Sequence, residues 1–173
     1  AAQRVSFHIS EAFAMHEQYF GHRPAGMWPA EGGVSQAAAL LMAKNGCRWI
    51  ATGQAVLSNS LRQAGQEEPL MSPSSYLYRP YRIADDEHEI ACFFRDDQLS
   101  DKIGFEYAKW FGRDAALDFV HKLEEICHNS SGHENPVVSI ILDGENAWEY
   151  YPYNGYYFLS EMYEMLQNHP HIE

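Results

Sequence analysis

The run Val137-Val-Ser-Ile-Ile-Leu142 is apolar at every position but one and shows no alternation. A strand with one wet face alternates, whereas a strand apolar on both faces must be covered from both sides. The run therefore predicts a central parallel strand with helices packed above and below it. Parallel strands need crossover connections, which are usually helices. The rest of the chain supplies them. Helices are predicted from Ser10, as a possible N-cap, to about Phe20, and from Ser35 to Asn45 with Gly46 as the stop. Another is capped near Ser100 and buries Ile103, Tyr107 and Trp110; one capped by Asp114 has Leu117, Val120 and Leu123 inside. The last spans about Gly155 to Gln167 and buries Leu159, Met162, Tyr163 and Leu166. Strands are predicted ending at Gly26-Met-Trp-Pro29, over Cys47–Thr52, and at Tyr76–Ile83 and Ile90–Phe94 around the turn Asp85-Asp-Glu87. The stretch 53–74, rich in glycine, proline and serine, reads as the longest loop. The fold class is α/β, and 173 residues suit one compact unit.

Charge and cysteine usage narrow the partners. Twelve basic against twenty-four acidic residues give a net charge of −12. Such a surface repels phosphate backbones, so nucleic acid is excluded as the expected partner. No stretch approaches the roughly 20 apolar residues that span a bilayer, so no membrane partner is expected. Three cysteines are too few and too scattered for a disulfide framework or a zinc ribbon. Cys47 and Cys92 adjoin apolar runs and read as buried thiols of a reduced compartment, which points to the cytoplasm. Nine histidines show neither His-x-x-x-His nor an accompanying Cys-x-x-Cys spacing, so no metal site is expected.

The dense polar motifs fall where strands are predicted to end, the rim on which parallel α/β folds build active sites. Two carboxylates stand out there. Glu31 lies in Gly26-Met-Trp-Pro-Ala-Glu-Gly-Gly33, and Asp143 in Ile141-Leu-Asp-Gly-Glu-Asn-Ala-Trp-Glu149. A pair of carboxyl groups is the minimum equipment for glycoside hydrolysis. One stays ionised; the other protonates the leaving oxygen and then activates water. Trp28 and Trp148 sit beside these acids and suit stacking on apolar sugar faces. Carboxylates at strand ends also cap helices or hold structural cations, and residue types alone leave those readings open. Arg95-Asp96-Asp97 reads equally as a cleft wall or as a strand-end ion pair with a capping aspartate. Glu145 is the alternative acid.

Four segments are far more specific: Phe20-Gly-His-Arg-Pro-Ala-Gly-Met-Trp-Pro-Ala-Glu31, Gly46-Cys-Arg-Trp-Ile-Ala-Thr52, Phe94-Arg-Asp-Asp-Gln-Leu-Ser-Asp-Lys-Ile-Gly-Phe-Glu-Tyr107 and Leu142-Asp-Gly-Glu-Asn-Ala-Trp-Glu149. Through them the chain resembles glycoside hydrolase family 57, in particular its α-amylase and amylopullulanase-like branch. The resemblance implies a parallel-stranded, TIM-like (β/α)7 barrel and a retaining mechanism on α-glucans or maltooligosaccharides. It makes Glu31 the nucleophile and Asp143 the general acid/base, with Trp28, Arg95, Asp97, Glu145 and Trp148 on the substrate side. Asp97 stands where related sequences often carry histidine. No metal or cofactor is implied. The family's first-strand His-Gln-Pro segment is missing, and so are its second motif and the one that follows Asp143. Residues 1–173 are therefore expected to be a single fragment of an incomplete barrel, inactive alone and able to self-associate through open sheet edges. Hydrolysis and glucan transfer remain equal outcomes. The alternatives are a carbohydrate-binding or regulatory barrel without turnover, and a metal-dependent hydrolase.

Overall fold

The computed structural model describes residues 2–66, 72–130, 135–145 and 147–173. The chain divides into two compact units, Ala1–Ser60 with Arg79–Phe94 and Leu61–Tyr78 with Arg95–Glu173.

The first unit is built on a four-stranded sheet. Its strands are β1 (Gly26–Met27), β2 (Trp49–Gly53), β3 (Tyr81–Ala84) and β4 (Glu89–Arg95), in the order β1-β2-β4-β3. β1 pairs parallel with β2, and β3 antiparallel with β4. The β3–β4 connection is the hairpin expected from its polar turn: Asp85 Oδ1 accepts from the backbone N–H groups of Glu87 and His88. β4 alternates buried and half-buried residues with Ile90, Cys92 and Phe94 inside, the period of a strand whose two faces differ. Helix α1 (Ala2–Phe20) buries Ile9 and Phe13, one turn apart. Helix α2 (Gln36–Lys44) is capped by Ser35, whose hydroxyl accepts from Ala38 N–H, and it buries Ala39 and Met42. Arg23 donates to the Asn45 carbonyl just past α2 and lies 4.8 Å from the Phe13 ring centroid, so one cation serves a helix end and an aromatic face.

Two sequence expectations fail in this unit. α1 starts eight residues before Ser10, which is therefore a mid-helix residue; its hydroxyl donates to Asn45 Oδ1 instead of capping. Part of the expected loop 53–74 is helix α3 (Gln54–Gln63). Its Ser58 and Ser60 hydroxyls donate back to the Ala55 and Val56 carbonyls, which removes the competition that normally sends serine to loops. Residues 67–71 of that stretch lie outside the described residues.

The second unit is mainly helical. α4 (Asp97–Asp101) leads into a wide turn Lys102–Glu106 and a tight one Tyr107–Lys109. α5 (Gly112–Asn129) then packs on α6 (Tyr156–Gln167). Gly112 allows the close approach, because a Cβ there would stand 3.0 Å from Phe158 N. The core joins Leu99, Ile103, Tyr107, Ala115, Ala116, Phe119, Tyr151, Phe158 and Met162. Several expected faces shift. Asp96, not Ser100, caps α4 by accepting from Leu99 N–H. Asp114 lies inside the first turn of α5 rather than at its cap. The wide turn breaks the helical period, so Trp110 comes out partly exposed. Leu117 and Tyr163 are exposed, and Ala115, Phe119 and Phe158 take the inner positions instead.

The apolar run 137–142 forms only one parallel bridge, Arg95 with Ser139, and no regular strand. Two of its donors are diverted: Val137 N–H to the Tyr78 carbonyl and Ile141 N–H to the Ser100 hydroxyl. The stretch Tyr76–Tyr78 is likewise no strand, though its side chains are buried; β3 begins after Pro80, which has no N–H for a ladder. The chain thus has a mixed α/β structure.

Candidate functional site

In the first unit, β1 ends at Met27 and the chain turns sharply through Trp28-Pro-Ala-Glu-Gly-Gly33. Glu31 has φ 53° and ψ 25°, and Gly32 follows at φ 67°. A side-chain-bearing residue in this left-handed region costs about 1–3 kcal/mol and persists only where its surroundings over-determine it. Here they do. Gly32 N–H donates to Pro29 O at 2.8 Å and Gly33 N–H to Ala30 O at 3.0 Å. Thr52, fully buried at the end of β2, donates its hydroxyl to Gly32 O. The Trp28 ring closes the other side: a Cβ on Gly32 would lie 2.9 Å from its Cη2. Glycine is required at 32 twice over, for its conformation and for the indole. The outcome is an exposed Glu31 carboxylate on a rigid turn, with a Trp28 ring 39% exposed beside it.

The other candidate acid belongs to the second unit. Arg95, at the end of β4, holds the chain that leads to it. Its Nε donates to Ile141 O at 2.9 Å, Nη1 to Asp97 and Nη2 to Asp101, each at 2.8 Å. Burial works against the charged guanidinium, but the hydrogen bonds to Asp101 and Asp97 outweigh it and raise its pKa above the ordinary value. Asp96 N–H donates to Ser139 O, and the buried Ser100 hydroxyl accepts from Ile141 N–H. Leu142 packs against the core, and the next three residues, Asp143, Gly144 and Glu145, are exposed. Asn146 lies outside the described residues, and Ala147 N–H donates to Asp143 O at 3.2 Å. Asp143 therefore leaves the end of a braced segment.

The remaining sequence candidates divide. Asp97 is half-buried and ion-paired with Arg95. Asp96 is buried, accepting from the Tyr78 hydroxyl at 2.8 Å as well as from Leu99 N–H; the strand-end reading of Arg95-Asp96-Asp97 describes these contacts. Trp148 lies in an aromatic cluster, 5.4 Å from Tyr151 and 6.4 Å from Phe158 between ring centroids. Cys47 and Cys92 are buried, as expected, and burial pushes the Cys92 thiol up to about 11. Sequence reasoning reads Ser100 only as a helix cap and Thr52 only as a strand end, and misses the long-range contact of each. Both are small hydroxyl residues, and nothing in their local pattern marks a hydroxyl that reaches a backbone group 20 or 41 residues away. Among the described residues no group of histidine, cysteine, aspartate and glutamate is placed to hold a metal ion, and no helix is long and apolar enough to cross a membrane.

Comparison with known proteins follows the same residues. The family profile described as Glycosyl hydrolase family 57 matches residues 2–173. Among solved structures, the novel α-amylase AmyC from Thermotoga maritima is similar with a TM-score of 0.70 at 19% identity, over 98% of this chain and 42% of that one. The 4-α-glucanotransferase from Thermococcus litoralis is similar with a TM-score of 0.63 at 17% identity, over 95% of this chain and 23% of that one. At such identities the likeness is one of fold, and the chain spans less than half the length of either. No curated protein sequence matches it significantly.

Proposed function

The chain belongs to glycosyl hydrolase family 57, and on that premise we propose that it is part of a retaining α-glucan-active enzyme, with Glu31 as nucleophile and Asp143 as general acid/base. The observation that carries the reading is the Glu31 turn: an exposed carboxylate at a strand end, on strained but fully braced backbone, with a half-open tryptophan face alongside. Such strain gathers at functional sites.

The chemistry runs in two displacements. A Glu31 carboxylate oxygen forms a bond to the anomeric carbon while the glycosidic C–O bond breaks, and the Asp143 carboxyl proton goes to the departing oxygen. Asp143, now a carboxylate, takes a proton from the incoming hydroxyl. That oxygen attacks the anomeric carbon and frees Glu31. Water as acceptor gives hydrolysis; a glucan hydroxyl gives transfer. Retention asks for carboxyl groups about 5–5.5 Å apart in the working enzyme. Trp28 is proposed to stack on a sugar ring, and Asp97 and Glu145 to bind its hydroxyls. Arg95 and Trp148 border the glucan while holding Asp97 and the aromatic cluster in place. The wider frame proposed is the (β/α)7 barrel, of which this chain is one fragment. The outer strands β1 and β3 are then the edges through which the fragment would self-associate, and the buried thiols fit a cytoplasmic setting.

The test is Glu31→Gln in the full-length protein. Turnover of maltodextrin should fall by at least about a thousandfold, the scale on which a lost nucleophile is felt, with the fold kept. An undiminished rate removes Glu31 from the mechanism.

A further inference from the structure

Resting on the assignment of Glu31, we propose that Thr52 is a positioning residue for the nucleophile, acting through the carbonyl of Gly32. Two consecutive left-handed residues, Glu31 and Gly32, set the direction in which the carboxylate leaves the turn. The turn's own hydrogen bonds use the N–H groups of Gly32 and Gly33 and the carbonyls of Pro29 and Ala30. The Gly32 carbonyl is thereby left to the Thr52 hydroxyl, which reaches it from β2, the strand parallel to β1. Both residues are buried. The bond ties the strained turn to the sheet, and it fixes the Gly32–Gly33 peptide plane, one residue past Glu31. Valine has threonine's shape without the donor, so Thr52→Val would keep the packing and leave a buried carbonyl unpaired. The turn is then free to relax, and a nucleophile displaced by a fraction of an ångström loses rate rather than affinity.

The experiment compares Thr52→Val, Thr52→Ser and Thr52→Ala in the full-length protein, with kcat and KM on a maltooligosaccharide and the thermal midpoint of each. Thr52→Val should lower kcat by about tenfold to a hundredfold, the scale of a small misplacement, with KM within about twofold. Thr52→Ser, which keeps the hydroxyl, should stay within about threefold of the parent. Should the valine variant not fold, the serine and alanine variants differ by the hydroxyl alone, and the same kcat gap is expected between them. Lower midpoints with kcat unchanged at a temperature where every variant is folded would show a merely structural threonine and overturn the inference. Thr52→Val at parental kcat while Glu31→Gln is inactive overturns the role of Thr52 alone. Turnover surviving in Glu31→Gln overturns the underlying assignment first.

Discussion

The two loops that carry the candidate acids are built on different principles. The Glu31 turn is held within itself and to the neighbouring strand: short backbone hydrogen bonds, a left-handed glycine, the Trp28 ring and the Thr52 hydroxyl all act within two residues of the carboxylate. The Asp143 loop is braced upstream. Arg95 and Ser100 fix Ile141, and Asp143 emerges two residues later into an exposed stretch. The difference suits the proposed roles. A nucleophile must meet one carbon along one line, so fixing its backbone pre-organises the attack. A proton donor that must serve first the leaving oxygen and then the incoming one is given its place by the segment that delivers it.

Breaking the comparison begins with the acid that has the looser setting. Asp143→Asn should slow glucan cleavage by about a hundredfold to ten-thousandfold, the usual weight of a general acid/base. On a substrate whose leaving group needs no proton, such as a glucosyl fluoride, the loss in the first displacement should be much smaller. Equal losses on both substrates would take the proton-donor role from Asp143. In the strand that launches the Glu31 turn, Gly26→Ala would place a Cβ 2.0 Å from the Trp49 ring. Overpacking of this kind costs about 1–3 kcal/mol, measurable by denaturant unfolding, and Gly144→Ala, with open space around it, should cost less. Under the second loop, Tyr151→Phe removes the hydroxyl that donates to Ile103 O. An unpaired buried carbonyl should cost about 1–3 kcal/mol, and a lower thermal midpoint checks it.

The smallest expected effect is a pH dependence. Burial works to raise the Asp118 carboxyl, but hydrogen bonds from Tyr107 and Lys102 outweigh it and lower its pKa below the ordinary 3.8. A group whose pKa is depressed by folding stabilises the fold above its unfolded value and loses that contribution as the pH falls through its folded one. Asp118→Asn should therefore cost at most about 1 kcal/mol near neutrality, with the gap to the parent closing below about pH 4. A gap that does not change with pH would mean the carboxylate's charge contributes nothing.

What could be read in the sequence follows the same division between local and distant contacts. The Asp85 turn and the buried thiols depend on near neighbours, and they stand as expected. The apolar run 137–142 points to the α/β class, yet it joins only a single bridge, and a hydroxyl and a distant carbonyl take two of its donors. Ser10, Ser58 and Ser60 misled for one reason: a serine satisfied inside a helix looks like a cap or loop serine in sequence. Trp110 comes out exposed because a wide turn shifts the helical phase, which a constant period does not anticipate. Both candidate acids were visible as carboxylates in glycine- and tryptophan-rich motifs. The tie from Thr52 to the Glu31 turn was not, because it joins residues 20 apart through a backbone atom.

The central claim is that Glu31 bonds to the sugar. The direct measurement is to trap the glycosyl-enzyme in the full-length protein with a fluorinated glucosyl fluoride, digest it, and find the labelled peptide by mass spectrometry. The account predicts a single added sugar on Glu31, in the peptide containing Trp28-Pro-Ala-Glu31, and none in Glu31→Gln. A sugar on another carboxylate, or turnover with inverted stereochemistry at the anomeric carbon, would contradict it.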